Sequence, residues 1–310
     1  MIGLVIMNRK SKPLSEKRIG VFGKGGSGKT TLAILLAKVL LAENYQVVFI
    51  DADSTNTGIS RLLGFEKSPK PLLDFFGGMV FSGGKVTCPV DDPKMLEDSN
   101  ISIRSLPPDY FSQNNGMTLF IAGKIGNKGP GAGCDGPIAK IARDFNIHFE
   151  DQLPVTILDF KAGFEDSARG VITNLDWAIV VVDPTIASIE MASDMENMVA
   201  RIKAGELPAT EHLESKDLVS AANQLFNKAR IKGVLTVMNK VENRDIENYL
   251  SSELLKVGVE PISTIPFDQL VSESCLRGKP LDSSICKTEL EEIIKKLESL
   301  ERFQEQVRNE

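Results

Sequence analysis

A chain of 310 residues, 42% hydrophobic and 25% charged, has the makeup of an ordinary globular protein, long enough for one large α/β core plus a tail or an insertion. Its net charge of −6 and pI near 5.3 argue against nonspecific binding to nucleic acid and to an anionic membrane surface. Four widely spaced cysteines without a C-x-x-C imply neither a disulfide framework nor a one-chain zinc site, and His148 and His212 leave histidine catalysis little material.

Residues 1–7 (MIGLVIM) are apolar, but the basic residues follow the stretch, and it is too short for a signal or a span. A cytoplasmic chain is therefore expected, with residues 1–17 as an extension that is an added edge strand or a start foreign to the domain. Residues 19–22 read as a buried strand and 32–42 as a helix apolar almost all round. Strands follow at 46–51 and 100–106, the latter stopped by Pro107-Pro108. A glycine-rich loop at 123–136 precedes a helix over 137–145, and further strands fall at 154–159, 176–183, 231–238 and 260–265. Residues 204–230 exceed an ordinary connection and carry helical spacing at Leu218, Ala221, Leu225 and Ala229, as an inserted helix or lid would. The tail, 286–310, aligns Leu290, Ile293, Ile294, Leu297 and Leu300 on one helical face, opposite a face more acidic than basic; it is expected to dock on the body instead of a membrane. The alternation of strand and helix predicts a single α/β domain over 18–285, a doubly wound, mostly parallel sheet flanked by helices.

The chemistry is concentrated in residues 18–31, RIGVFGKGGSGKTT. Gly23, Gly28, Lys29 and Thr30 satisfy G-x-x-x-x-G-K-[ST]. In that pattern backbone N–H groups cradle phosphates, the lysine reaches the β and γ groups, and the hydroxyl meets Mg²⁺. Gly25, Gly26 and Ser27 complete the loop and Thr31 follows it; a second lysine, Lys24, lies inside it. Asp51 and Asp53 follow the second strand, where a carboxylate would stand near the attacking water or the metal's water shell. Asp159 ends a buried apolar strand, the usual station for an acid that holds Mg²⁺ through water, and Gly163 comes four residues later. The alternative for Asp53 and Asp159 is capping of the next helix.

The form KGGxGK[ST]T resembles the deviant Walker A loop of the SIMIBI group, the superfamily of MinD, ParA and nitrogenase iron protein. What the resemblance implies is a homodimer closing over two ATP molecules, with the signature lysine, Lys24, reaching the partner's phosphates as an arginine finger does. Within that superfamily the likeness is strongest to the CooC family, nickel-insertion ATPases that mature carbon monoxide dehydrogenase, over about residues 17–281. DADSTNTGISRLLG (51–64) is similar to its switch I, with Ser54 in place of a proline. DFKAGFEDSARG (159–170) is similar to its switch II, with Lys161 in place of an acid. VVVDPTIASIEMA (180–192) and MNKV (238–241) match later elements. IPFDQLVSESCLRGKPL (265–281) matches the segment that packs on adenine, so that Asn239 and the backbone of Pro266, Phe267 and Asp268 would read the base.

The resemblance fails at one motif. The nickel-insertion family carries a Cys-x-Cys whose thiolates, from two subunits, hold one metal ion; here GPGAGCDGP keeps Cys134 and has Gly136 at the second position. The loop also resembles that of nitrogenase iron protein, whose other cluster cysteine would fall near Ala162, so a four-cysteine cluster is not expected. Three roles stay open for Cys134: an inter-subunit ligand to Ni²⁺ or Zn²⁺, with Asp135 or a target protein supplying further ligands, a transient carrier, or an idle thiol in a loop serving dimer closure. Cys88, Cys275 and Cys286 match no ligand position and read as packing residues.

The implied function is a MgATP-dependent ATPase, hydrolysing ATP to ADP and phosphate, that serves as an accessory factor for a client metalloenzyme such as a carbon monoxide dehydrogenase. Catalysis falls to Lys24, Lys29 and Asp53, and Mg²⁺ to Thr30, Asp51 and Asp159. The alternatives are a positioning ATPase of the MinD or ParA type, disfavoured by the acidic tail and the lack of a basic patch, and a reductase with a degenerate cluster site.

Overall fold

The computed structural model of the chain describes residues 12–125, 133–282, 284 and 286–309. Residues 1–11 of the expected extension and 126–132 of the expected glycine-rich loop lie outside them. The strands are β1 (Arg18–Gly23), β2 (Val47–Asp51), β3 (Asn100–Ser102), β4 (Ser112–Asn114), β5 (Met117–Ile121), β6 (Asn146–His148), β7 (Val155–Asp159), β8 (Trp177–Val182), β9 (Gly233–Val241) and β10 (Pro261–Pro266). The helices are α1 (Lys29–Ala42), α2 (Ile59–Leu63), α3 (Leu72–Phe75), α4 (Gly136–Asp144), α5 (Glu165–Ala168), α6 (Ile186–Lys203), α7 (Lys216–Asn227), α8 (Arg244–Lys256), α9 (Gln269–Arg277) and α10 (Lys287–Asn309).

Eight strands form one sheet in the order β10, β9, β8, β1, β7, β2, β5, β4, parallel except for the terminal β4–β5 pair. Side chains alternate across it, as the period of a strand requires. On β8, Ala178, Val180 and Val182 join the core that contains Ile141 of α4, Met195 of α6 and Leu254 of α8. Trp177, Ile179 and Val181 enter the opposite core, with Leu36 of α1 and Leu297 of α10. Central strands buried on both faces explain the unbroken apolar runs in the sequence.

The tail helix docks as its periodicity foretells: Leu290, Ile293, Ile294 and Leu297 are at most 3% exposed, each burial stabilising by about 1.5–3 kcal/mol. Its acidic face is used as well. Glu301, itself buried, accepts from Trp177 Nε1 at 2.6 Å and from Lys232 Nζ at 2.6 Å, so the charge enters the interior with a cation and a donor on it.

One expected strand is misplaced. Residues 100–106 yield only β3, which pairs with β6 in a separate two-stranded sheet. The position beside β2 belongs to β5, whose five residues are all buried. The signal for β5 was present: Asn115-Gly116 has φ of 45° and 87°, the left-handed pair that a tight β-hairpin requires, and it joins β4 to β5. Within 204–230 lies α7, with Leu225 and Phe226 against Gly170.

Candidate nucleotide site and cysteine loop

β1 lies where strand order reverses, between β8 and β7, and its carboxyl end runs into the phosphate loop. Gly28 takes φ 93°, and α1 begins with no side-chain cap and no acid in its first turn, which leaves its first N–H groups for an anion. A Cβ on Gly28 would come within 2.4 Å of Asn239 Nδ2, so both conformation and contact require glycine. The end of β9 braces the loop from outside. Asn239 Nδ2 donates to Ser27 O at 2.7 Å, and Lys240 Nζ donates to Gly26 O at 2.5 Å. The two loop lysines diverge: Lys29 is buried with its Nζ 3.7 Å from Asp53 Oδ2, whereas Lys24 is exposed.

Behind the loop stand the carboxylates. Thr30 Oγ1 donates to Asp159 Oδ2 at 2.7 Å, while Asp159 Oδ1 is buried with no hydrogen-bond partner. Burial, reinforced by the charge of Asp51, pushes the Asp159 carboxyl up to about 7. An orphaned carboxylate oxygen beside a hydroxyl fits a hard, oxygen-seeking dication such as Mg²⁺. Asp51, expected with them, is differently engaged: Lys124 Nζ lies 2.6 Å from its Oδ2 and 2.5 Å from Asp53 O. Burial still lifts Asp51 to about 6. Asp53 behaves in the opposite way, because its carboxylate accepts from Thr55 N at 2.9 Å and Thr55 Oγ1 at 2.7 Å. Burial opposes its charge, yet those hydrogen bonds and Lys29 hold its pKa below the ordinary value.

A cavity of about 430 Å³ opens from the loop between Thr31, Leu35, Lys240, Phe267 and Val271. Asn239 and Pro266 to Asp268 line it too, so the residues expected around a base converge. Asp268 spends its carboxylate on capping α9, accepting from Leu270 N at 2.7 Å and Val271 N at 3.0 Å, which leaves backbone as the polar surface it offers. Cys275 and Cys286 also border this cavity. A separate cavity of about 340 Å³ lies beneath α7, lined by Met198, Leu225 and Phe226, and shares no residue with the nucleotide set.

The two switch segments meet at the cysteine loop. Asp135 accepts from Ser54 Oγ and from Lys161 Nζ, so the two positions that depart from the switch patterns bind the same carboxylate. Gly163 N donates to Gly23 O at 3.1 Å, tying the second switch to the phosphate loop. Cys134 Sγ accepts from Gly136 N at 3.4 Å, and Cys88 Sγ fills the space beside Gly136. Sequence reasoning gave no role to Lys124 or Lys240, and named Asp135 only as a further metal ligand beside Cys134, whereas its carboxylate is taken by Ser54 and Lys161. The unusual Ser54 and Lys161 were visible, but nothing in their spacing announced that a residue 81 positions from Ser54 unites them.

Comparison with known proteins gives the family and the fold. Residues 21–281 match the family described as CbiA, the CobQ/CobB/MinD/ParA nucleotide binding domain. An uncharacterised ATP-binding protein of Methanocaldococcus jannaschii is 33% identical over 230 residues, 73% of this chain and 89% of that protein. The carbon monoxide dehydrogenase accessory protein CooC of Rhodospirillum rubrum is 25% identical over 182 residues, 58% of this chain and 68% of CooC. The septum site-determining protein MinD of Pyrococcus horikoshii, solved with Mg-ADP, superposes with a TM-score of 0.55 at 18% identity, over 92% of this chain and 98% of that one; the likeness shows the fold. No helix among the described residues is long and apolar enough to cross a membrane. The chain thus belongs to the CobQ/CobB/MinD/ParA nucleotide-binding family of P-loop ATPases.

Proposed function

We propose that this chain is a MgATP-driven dimerising ATPase that serves as an accessory factor for a metalloenzyme. The observation that carries the reading is the split between its two loop lysines. Lys29 is sunk against Asp53, where it meets the β and γ phosphates of its own subunit's nucleotide. Lys24 stands exposed on the same loop, free to reach a nucleotide held by a second copy. There it neutralises charge on the transferred phosphoryl group.

Thr30 Oγ1 and the unpartnered Asp159 Oδ1 are the atoms that would hold Mg²⁺, Asp159 through water. Held there, Mg²⁺ would supply positive charge against the phosphate oxygens. Asp53, kept ionised by Thr55 and Lys29, orients the attacking water, and Asp51 with Lys124 sets the position of that segment. The base lies in the 430 Å³ cavity against Phe267 and the backbone of Pro266 to Asp268.

The accessory role rests on the likeness to CooC and on the junction of both switches at Asp135, next to Cys134. A change of nucleotide state that moves either switch moves the neighbour of a half-buried thiol. The test is sizing of the protein in ADP and in ATP under conditions that slow hydrolysis. A dimer in ATP alone, lost in Lys24→Ala with ADP affinity kept, supports the reading. A monomer in every nucleotide overturns it.

A further inference from the structure

We propose that the cavity beneath α7 is a second ligand site, which takes a medium-chain carboxylate: an apolar body with one singly charged head. The site is separate from the ATPase reading, and only its effect on nucleotide rests on that reading. The body finds its match in the walls. Met198 and Ile202 of α6, Leu213, and Leu225 and Phe226 of α7 line a space of about 340 Å³, within the range of small-molecule sites.

The head finds its match in Arg143 of α4, which lines the same cavity and is 1% exposed. Two of its guanidinium nitrogens are committed. Nε donates to Asp144 Oδ1 at 2.6 Å, and Nη2 donates to Asp144 Oδ2 at 2.9 Å and to the carbonyls of Pro93 at 3.2 Å and Lys94 at 3.1 Å. Nη1 is buried and has no hydrogen-bond partner among the described residues. An N–H group of a cation left unpaired in the interior is unfavourable, and an acceptor carried in by a ligand removes that penalty. A carboxylate is the acceptor that a guanidinium binds most strongly among organic groups of one charge. Asp144 already balances Arg143, so one further charge is tolerated where a dianionic phosphate would bring an excess. The other arginines of the lining are paired: Arg201 with Glu206, and Arg169 with Asp166.

The place of the cavity gives it a consequence. Arg169 and Gly170 end the second switch segment, which begins at Asp159. Arg169 lines the cavity, and a Cβ on Gly170 would lie 3.5 Å from Phe226 and 3.6 Å from Leu225. α7 therefore packs on the end of the switch, and a molecule lodged beneath α7 favours one arrangement of the two. Whatever preference MgATP has among switch arrangements then appears as a change in its affinity, and the coupling is reciprocal.

The test is calorimetric titration of the full chain with octanoate, and with octanol as the uncharged probe of equal length, for wild type, Arg143→Lys and Ala209→Trp. Lysine keeps a cation beside Asp144 and removes the unpaired nitrogen. Ala209 lines the cavity from an exposed position, so tryptophan there obstructs the space without entering the core; ADP affinity read in parallel reports folding. We expect one octanoate per chain, with octanol and both variants weaker by about tenfold or more. Equal binding of octanoate and octanol overturns recognition of the carboxylate. No binding by the wild type, or undiminished binding by a folded Ala209→Trp, overturns the site; this variant decides if Arg143→Lys does not fold. Octanoate should change MgATP affinity by about fivefold in the wild type and not in Ala209→Trp, and an unchanged wild type overturns the link to the switch. The ATP-dependent dimer is judged separately by its own sizing experiment.

Discussion

The phosphate loop and the cysteine loop are built on opposite plans. The first is made from neighbours in sequence: β1, five loop residues and the first turn of α1 supply its donors, and β9 only braces it through Asn239 and Lys240. The second is assembled from Cys88, Cys134, Ser54 and Lys161, residues remote in the chain that meet around Asp135 and Gly136. The segment from Asp51 to Asp53 joins the two regions, gripped by Lys29 from one side and Lys124 from the other. A site of neighbours persists as a readable motif, whereas a site of distant contacts can be rebuilt by paired changes that leave no local pattern.

The largest expected effect separates the two lysines of the local site. Lys24→Ala should lower turnover on the order of 10³-fold, the magnitude of a lost arginine finger, with ADP affinity changed only a few-fold. Phosphate release set against fluorescent-nucleotide titration reads both; a parallel collapse of ADP binding would return Lys24 to its own subunit's pocket. At the assembled site, Gly136→Cys should destabilise by about 1–3 kcal/mol in urea unfolding, since its Cβ meets the Cys88 side chain. Cys88→Gly in the same chain should recover most of that loss, and no recovery would refute the steric account.

Asp159 provides a pH test. Burial holds its folded-state pKa near 7, against an ordinary 3.8, so the folded protein keeps a proton that the unfolded chain sheds. Its contribution to stability is therefore complete below pH 4 and declines as pH rises toward 7. Asp159→Asn should remove that slope and, without nucleotide at pH 8, be more stable by roughly 1–2 kcal/mol, while losing Mg²⁺-dependent nucleotide affinity. Thermal melts across pH would show an unchanged slope if burial were not the cause. The smallest effect belongs to Asp135→Asn, expected to cost under about 1 kcal/mol because Lys161 is partly exposed. Its sharper signature is in alkylation of Cys134, whose rate should respond to ATP against ADP in the wild type and not in the variant.

Much of the fold was legible because buried parallel strands write themselves as apolar runs. β1, β2, β7 and β8 are buried at every position. β5 is as deeply buried, yet it went unread: its pairing depends on a turn at Asn115-Gly116 and on β2, not on its five residues alone. Periodicity likewise placed the apolar face of α10, but not the ion pair that draws Glu301 into the interior with Lys232.

The sequence by itself determined the strand, loop and helix that hold phosphates, and the alternation that stacks them into a doubly wound sheet. Hydrogen bonds between near neighbours and burial of a periodic face are local consequences of residue type. Only the tertiary structure decided that Lys124 sits on Asp51, that Ser54 and Lys161 share Asp135, and that Cys88 fills the space at Gly136. Those contacts join residues tens of positions apart, and their energies depend on burial and distance that exist only once the chain is folded.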